Sequence, residues 1–437
     1  MIRFVWAIVL LCAALPARAE VAIQEVTSPG GITAWLVEEH SIPFTALEIR
    51  FRGGAALDAP EKKGATSLMV SLLEEGAGDL DARAFAKATE SLAASFRYDT
   101  SDDAVRISAK FLTENRDQAV ALLRDSLVAP RFDEDAVARV RSQLLSILQS
   151  DEKDPRAIAG KRFDAMVYGD HPYGMPQDGT VETVGALTRD DLLAAHEGAL
   201  ARDRIYVGAV GDITPEELAS LLDTLLGDLP ATGAPLPGPA GVTLDGGTHV
   251  VPFPTPQSVA IFGQPGIDRE DPDFFAAFIL DHILGGGSFE SRLMQEVREK
   301  RGLTYGVYSY LVDKDQAQLW QGAVSSANDR VAQAVRVIRD EWQKMRDSGV
   351  TAEELQDAKT YLTGAYPLRF DGNGPIANII VAMQMEGLPI DYIDTRNEKI
   401  EAVSLDDINR VAQELLDPDR LTFVVVGQPE GLEPAAN

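Results

Sequence analysis

Apolar and polar residues alternate along this chain in two rhythms, a two-residue period and a helical one, and the succession of rhythms occurs twice. Residues 23–26, 33–37 and 44–51 carry the two-residue period and read as strands, with Gly30 and Gly31 turning the first into the second. Helical spacing follows: Leu68, Met69, Leu72 and Leu73 share a face in 64–73, and a second helix is predicted at 82–95. A strand at 104–111 precedes helices at 116–127, 133–148 and 157–166, with Asp133 the expected cap of the middle one. The turn-rich YGDHPYG at 168–174 leads to a helix at 187–200, a strand at 204–211 and a helix at 215–226.

The pattern then restarts. LTRDDLLAAHEGALARDRIYVGAVGD at 187–212 matches VSLDDINRVAQELLDPDRLTFVVVGQ at 403–428, so that Gly211 and Gly427 end equivalent strands 216 residues apart. Strand, glycine turn and helix at 47–73 are echoed at 259–284. Between the halves, PATGAPLPGPAG at 230–241 holds four prolines and three glycines, a composition expected to pack no core and to act as a linker. The expected fold is α+β: two similar domains, 20–229 and 248–437, each a mostly antiparallel sheet covered by helices, joined by a Pro/Gly linker at 230–247.

One stretch concentrates chemistry. GGGSFESRLMQEVREKRGLTYGVYSY at 285–310 reads as a glycine turn, an amphipathic helix at 291–300, a turn at Gly302 and a strand at 303–310. The period puts Leu303, Tyr305 and Val307 on one strand face and Tyr308 and Tyr310 on the other. Arg298, late in the helix, and Tyr305, early in the strand, could meet across the Gly302 turn. From these residues alone, a solvated charged face for Arg298 and a strand packing surface for Tyr305 are the preferred readings. The glycine run lacks a following Lys-Ser/Thr and is not a phosphate loop.

Composition narrows the setting. A chain of 437 residues with 45% hydrophobic content has enough apolar material for two or three cores. Arg3, the apolar run 4–15 and Ala17-Arg18-Ala19 predict a secretory signal at 1–19, hence a periplasmic location; no later run reaches the roughly 18 to 20 apolar residues of a membrane helix. Cys12 falls inside that signal, and lipid modification is its rival reading, opposed by the bulky Leu11 before it. Losing Arg3 and Arg18 moves the net charge from −28 to −30, which argues against nucleic acid as a partner. His40, His171, His196, His249 and His282 include no pair at helical spacing, so no zinc site is expected. His171 is expected to order its loop and His282 to be hydrogen-bonded within a helix near the core.

SRLMQEVREKRGLTYGVYS, with HPYG at 171–174 and the glycine run at 285–287, resembles the C-terminal signature of the pitrilysin-type metallopeptidases, the inverzincins with an HxxEH zinc motif. The likeness spans nearly the whole chain after residue 19. It implies two halves facing each other as a clamshell around a peptide, with Arg298 and Tyr305 matching an Arg/Tyr pair of the C-terminal half and Gly286, Gly287 and Ser288 beside the substrate. The N-terminal half departs from the family: where relatives read about GLAHFLEHMLFKGT, this chain reads GATSLMVSLLEEGA at 64–77. Ser67, Val70 and Ser71 stand in place of the two histidines and the glutamate, and Ile147 stands near the third ligand. None can bind zinc or take a proton from water.

The resemblance therefore implies a subunit without zinc of its own, contributing Arg298 and Tyr305 to peptide hydrolysis on the zinc of a homologous HxxEH-bearing subunit, with homodimers open when that partner is missing. A non-catalytic peptide-binding or scaffolding protein of the same fold is the alternative. An autonomous peptidase is disfavoured by the missing histidines.

Overall fold

A computed structural model describes residues 21–432; the signal predicted at 1–19 lies outside them, and of Ser288 only the backbone is described. The strands are β1 (Gln24–Thr27), β2 (Thr33–Glu38), β3 (Phe44–Arg52), β4 (Gly76–Ala77), β5 (Leu80–Asp81), β6 (Ser95–Thr100), β7 (Ala104–Leu112) and β8 (Ile205–Gly211) in the first half. The second half holds β9 (Gly247–Pro252), β10 (Gln257–Pro265), β11 (Val307–Lys314), β12 (Ala317–Ala327) and β13 (Thr422–Gly427). They form a six-stranded sheet ordered β1-β2-β8-β3-β7-β6, a five-stranded sheet ordered β11-β12-β10-β13-β9, and the small β4-β5 ribbon.

The duplication extends to the strand pairings. Leaving out β1, the order β2-β8-β3-β7-β6 recurs as β9-β13-β10-β12-β11, and in each sheet the one parallel pair joins the first two strands while the rest are antiparallel. The capping chemistry recurs as well. Thr188 accepts the Asp191 N–H at 3.3 Å while Asp191 accepts the Thr188 N–H at 2.7 Å, and Ser404 and Asp407 exchange the same bonds at 3.1 and 3.0 Å. Gly211 and Gly427 hold φ of 139° and 153°, where a side chain is strained, and a Cβ would stand 2.2 Å from the Phe44 carbonyl or 2.3 Å from the Ser258 hydroxyl.

Each sheet packs one face on helices of its own half. Leu47, Ile49 and Phe51 of β3 point into a core with Leu68 and Leu123, and Phe262 and Trp320 point into one with Leu280 and Trp342. The alternate residues face the other way, and there the halves exchange helices. Trp35, Ala46 and Val210 are covered by Ala377, Ile380 and Met383 of the helix Asn373–Met385, which belongs to the second half. Ile261, Leu319 and Val424 are covered by Ala159, Phe163 and Val167 of Pro155–Tyr168, from the first half. Gly208 lets the first exchanged helix approach, since a Cβ there would lie 2.6 Å from the Ala377 carbonyl, and Phe163 packs over Gly263. Polar contacts seal the joint: Arg52 pairs with Asp315 at 2.9 Å, Lys314 with Asp102 at 2.6 Å, and Gln384 donates to the Val207 carbonyl at 2.6 Å. The clamshell expectation is corrected within this chain, because each sheet's second face is closed by a helix of the other half.

Several local expectations also change. The helix expected over 82–95 stops at Ser91, and Ser95 instead begins the edge strand β6, for which no strand was expected. Asp133 sits at its helix start but makes no capping bond; its carboxylate takes Arg131 Nε at 2.7 Å instead. The Pro/Gly stretch packs more than its composition promised: Leu244 is 1% exposed and Ala240 lies against the cross-half core, with its N–H donated to the Gln316 carbonyl at 2.9 Å. Among the described residues, no helix is long and apolar enough to cross a membrane.

Candidate functional site

The helix Ala65–Ser71 occupies the place of the zinc helix. It starts where Asp58 accepts the Gly64 N–H at 3.0 Å and the Thr66 hydroxyl at 2.6 Å, and burial pushes the Asp58 carboxyl up. Ser67 donates to the Gln177 carbonyl at 3.3 Å, and Ser71 donates back to the Ser67 carbonyl at 2.9 Å. Val70 is 2% exposed in the first core, and Ile147, on the helix Glu134–Asp151, is 56% exposed. The two hydroxyls are thus spent on backbone carbonyls, and the other two positions hold hydrocarbon.

Nearby acids do not replace them. Glu75 forms a fork with Arg139 at 2.8 and 2.6 Å, and burial together with Glu75 pushes the Glu74 carboxyl up. Both glutamates line a cavity of about 480 Å³ with Phe85, Glu90 and Phe96. Among the described residues no group of three or more His, Cys, Asp or Glu side chains is arranged to hold a metal ion. The residues at the motif positions do not fit zinc.

In the second half, the predicted helix at 291–300 is helical with a wider winding. His282–Gly286 and Met294–Glu299 are both π-helical turns, the first running into the glycine run and the second following it. Such turns are rare and concentrate at functional sites. The three glycines serve close approach: a Cβ on Gly285 would stand 2.3 Å from Ser309 Oγ, on Gly286 2.8 Å from Asp281 Oδ2, and on Gly287 2.6 Å from the His282 carbonyl. Asp281 anchors the turn, accepting the Ser309 hydroxyl at 2.6 Å and the Trp320 indole N–H at 2.7 Å, and burial pushes its carboxyl up to about 6.

Arg298 lies in the second π-turn with its guanidinium 4.7 Å from the centre of the Phe289 ring and 3.5 Å from Glu299. Tyr305 does not lie in a strand, since β11 starts only at Val307, and it does not share the buried face of Leu303 and Val307: it is 86% exposed. Its loop is nonetheless firmly held. Leu303 is 5% exposed and its carbonyl accepts Ser326 Oγ at 2.5 Å. Thr304 Oγ1 donates to the Ser325 carbonyl at 2.6 Å and accepts the Gly306 N–H at 3.1 Å. No hydrogen bond or ion pair joins Arg298 to Tyr305 among the described residues, so the structure presents the two on neighbouring turns and does not bring them into contact. Gly286 is exposed and Gly287 half-buried beside them.

The histidine expectations divide. His171 does order its loop, accepting the Tyr173 N–H on Nδ1 at 3.3 Å, which leaves Nε2 to donate to the Gly238 carbonyl at 3.0 Å. His282 is half-buried and stacks on Tyr361, with ring centres 5.1 Å apart, and makes no hydrogen bond through its ring among the described residues. Phe289 and Tyr361, 55% and 62% exposed, are site residues the sequence reading passed over. Each carried a signal: Phe289 is aromatic within a glycine turn, and Tyr361 falls outside the buried face of its helix, formed by Leu355, Ala358, Lys359 and Leu362.

Residues 34–180 match the model described as Insulinase (Peptidase family M16), and residues 186–362 match the Peptidase M16 inactive domain. A "non-peptidase homolog YmxG" of Helicobacter pylori is 28% identical over 391 residues, covering 89% of this chain and 90% of that protein. An uncharacterized zinc protease of Streptomyces coelicolor is 27% identical over 405 residues, 90% of this chain and 87% of that protein. Among solved structures, a peptidase M16 inactive domain from Pseudomonas fluorescens superposes with a TM-score of 0.87 at 27% identity, covering 94% of this chain and 99% of that one. A protease from Helicobacter pylori shares the fold, with a TM-score of 0.84 at 18% identity over 93% of this chain and 99% of that one. This chain belongs to the M16 peptidase family, of the insulinase and pitrilysin-like kind.

Proposed function

We propose that this chain is the non-zinc subunit of a two-chain peptidase, secreted to the periplasm by residues 1–19, and that it lends Arg298 and Tyr305 to peptide hydrolysis at a metal held by a homologous partner. The observation carrying this reading is the contrast between the two halves. The zinc helix has been closed, with Ser67 and Ser71 bonded to carbonyls and Val70 in the core, while Tyr305 stands 86% exposed on a pinned loop with its hydroxyl unbonded among the described residues. A protein relying only on its own surface for packing has little use for such a tyrosine.

The chemistry suits the pair. When a peptide carbonyl is attacked, negative charge grows on its oxygen, and a phenol O–H and a guanidinium N–H can donate to it. A loop held by Ser326 and Thr304 fixes the backbone that carries Tyr305, which limits the ordering left to the side chain itself. Removing one such donor typically costs about 10²- to 10³-fold in rate.

The test uses the chain mixed with an HxxEH-bearing partner of the same family. The lone chain is expected to hold no stoichiometric zinc and to cleave no peptide, the mixture to cleave, and Tyr305→Phe to lower kcat about 10²- to 10³-fold. Cleavage by the lone chain would defeat the division of labour. The second reading, a peptide-binding scaffold without a catalytic part, is favoured by one observation: Arg298 rests on Phe289 and Glu299 rather than on Tyr305. Full activity of a complex carrying Tyr305→Phe would decide for it.

A further inference from the structure

The duplicated topology gives the closed zinc site a counterpart in the second half, and that counterpart is open. In the first half a helix follows β3, and the hairpin β6-β7 is followed by Arg116–Val128 and Glu134–Asp151; in the second, Phe274–Asp281 follows β10, and the hairpin β11-β12 is followed by Val331–Ser348 and Ala352–Gly364. The π-turn extending Phe274–Asp281 and the helix Ala352–Gly364 therefore correspond to the zinc helix and the helix of its third ligand. Between them lies a cavity of about 530 Å³.

Its lining is specific in kind. Ile283 and Ala358 supply apolar surface. His282 and Tyr361 form one wall as a stacked pair at an interplanar angle of 21°, and Phe289 contributes a further ring. Glu290 and Asp357 add two carboxylates that have no cationic partner among the described residues. The third acid, Glu354, is already neutralised by a fork with Arg292 at 2.7 and 2.8 Å. Burial lowers the His282 pKa, so its ring is neutral at pH 7 and presents a π-face rather than a charge. Of the cations close to this lining, Arg292 is taken up by Glu354, and Arg298 lies over Phe289 with Glu299 beside it at 3.5 Å.

Apolar surface, aromatic faces and unpaired carboxylates together select a side chain with an aliphatic stem and a flat, weakly hydrated cation. We propose that this cavity binds a basic residue of a peptide, arginine in preference to lysine, with the guanidinium against the His282–Tyr361 pair and facing Glu290 and Asp357. A space of about 530 Å³ exceeds one side chain and accommodates its neighbours in the peptide as well. The inference rests on the reading that this chain handles peptides and adds the residue class it selects.

The test measures fluorescence anisotropy of dye-labelled Ala-Ala-Arg-Leu-Ala with the purified full chain, against the same peptide carrying lysine or norleucine in place of arginine. Norleucine is expected to weaken binding about tenfold or more, and lysine less. Tyr361→Ala, and separately Glu290→Gln with Asp357→Asn, are expected to erase the preference for arginine while leaving the melting temperature unchanged, since these side chains lie at the surface. Equal binding of all three peptides, or variants that keep the preference, would overturn the proposal and leave the Arg298/Tyr305 reading to its own kinetic test. Absence of binding by any peptide would overturn the cavity proposal too, and the kcat of the Tyr305→Phe complex would show whether the catalytic reading survives it.

Discussion

Asp281→Asn is expected to stabilise this protein at neutral pH, although it removes a carboxylate that accepts two hydrogen bonds. Asp281 is 7% exposed; its bonds from Ser309 and Trp320 converge on one oxygen, and it has no cationic partner among the described residues. Burial raises its pKa from 3.8 to about 6 because the charged form has lost its water. A folded pKa above the unfolded one means that the native state binds the proton more tightly. The penalty is therefore absent below the unfolded value, grows as the pH rises between the two, and is complete above about 6. Two units correspond to about 3 kcal/mol. An asparagine resembles the protonated acid, keeping an oxygen for Ser309 and Trp320 without the charge. The variant should therefore gain about 3 kcal/mol over the wild type at pH 8 and almost nothing at pH 4, read by urea denaturation of both proteins at the two pH values. A variant that loses stability at pH 8, or whose difference from wild type does not change with pH, would refute the assignment of Asp281 as a buried charge held at a cost.

Ile380→Ala should cost about 2–5 kcal/mol, because Ile380 is fully buried and belongs to the helix covering the first sheet from the second half; a loss below 1 kcal/mol in denaturation would show that this face does not depend on the exchanged helix. Gly211→Ala and Gly427→Ala should each cost about 1–3 kcal/mol from backbone strain alone, with matching drops in melting temperature at the two equivalent strand ends; an unchanged temperature at either would break the equivalence. Glu354→Gln should destabilise at pH 7, since Arg292 and Thr351 hold that carboxyl down to about 2. Its folded pKa lies below the unfolded 4.5, so the difference from wild type should shrink as pH falls from 4.5 towards 2, and a pH-independent difference would exclude the ion pair as its source. Tyr305→Phe should leave the melting temperature of the lone chain unchanged, because its exposed hydroxyl bonds nothing among the described residues; a clear loss would mean that it holds the fold.

What the residues alone determined was local and periodic. Strand alternation at Leu47, Ile49 and Phe51 and the strand-ending glycines at 211 and 427 are set within a few residues of chain, so the elements and the duplication could be read directly. The loss of zinc ligands was equally plain, because coordination depends on side-chain identity, and Ser67, Val70, Ser71 and Ile147 cannot supply it. The tertiary structure decided everything that depends on distant chain. Which helix covers the second face of each sheet follows from the meeting of segments far apart in sequence, Val210 with Ile380 and Phe163 with Ile261, and no local period records that choice. Tyr305 shows the same limit. Its two-residue spacing from Leu303 and Val307 predicted a shared strand face, but Ser326 and Thr304 fix the loop around it, the strand starts only at Val307, and the phenol is exposed. Periodicity reports where a side chain would point if the backbone stayed regular; only long-range hydrogen bonds and packing determine where regularity begins.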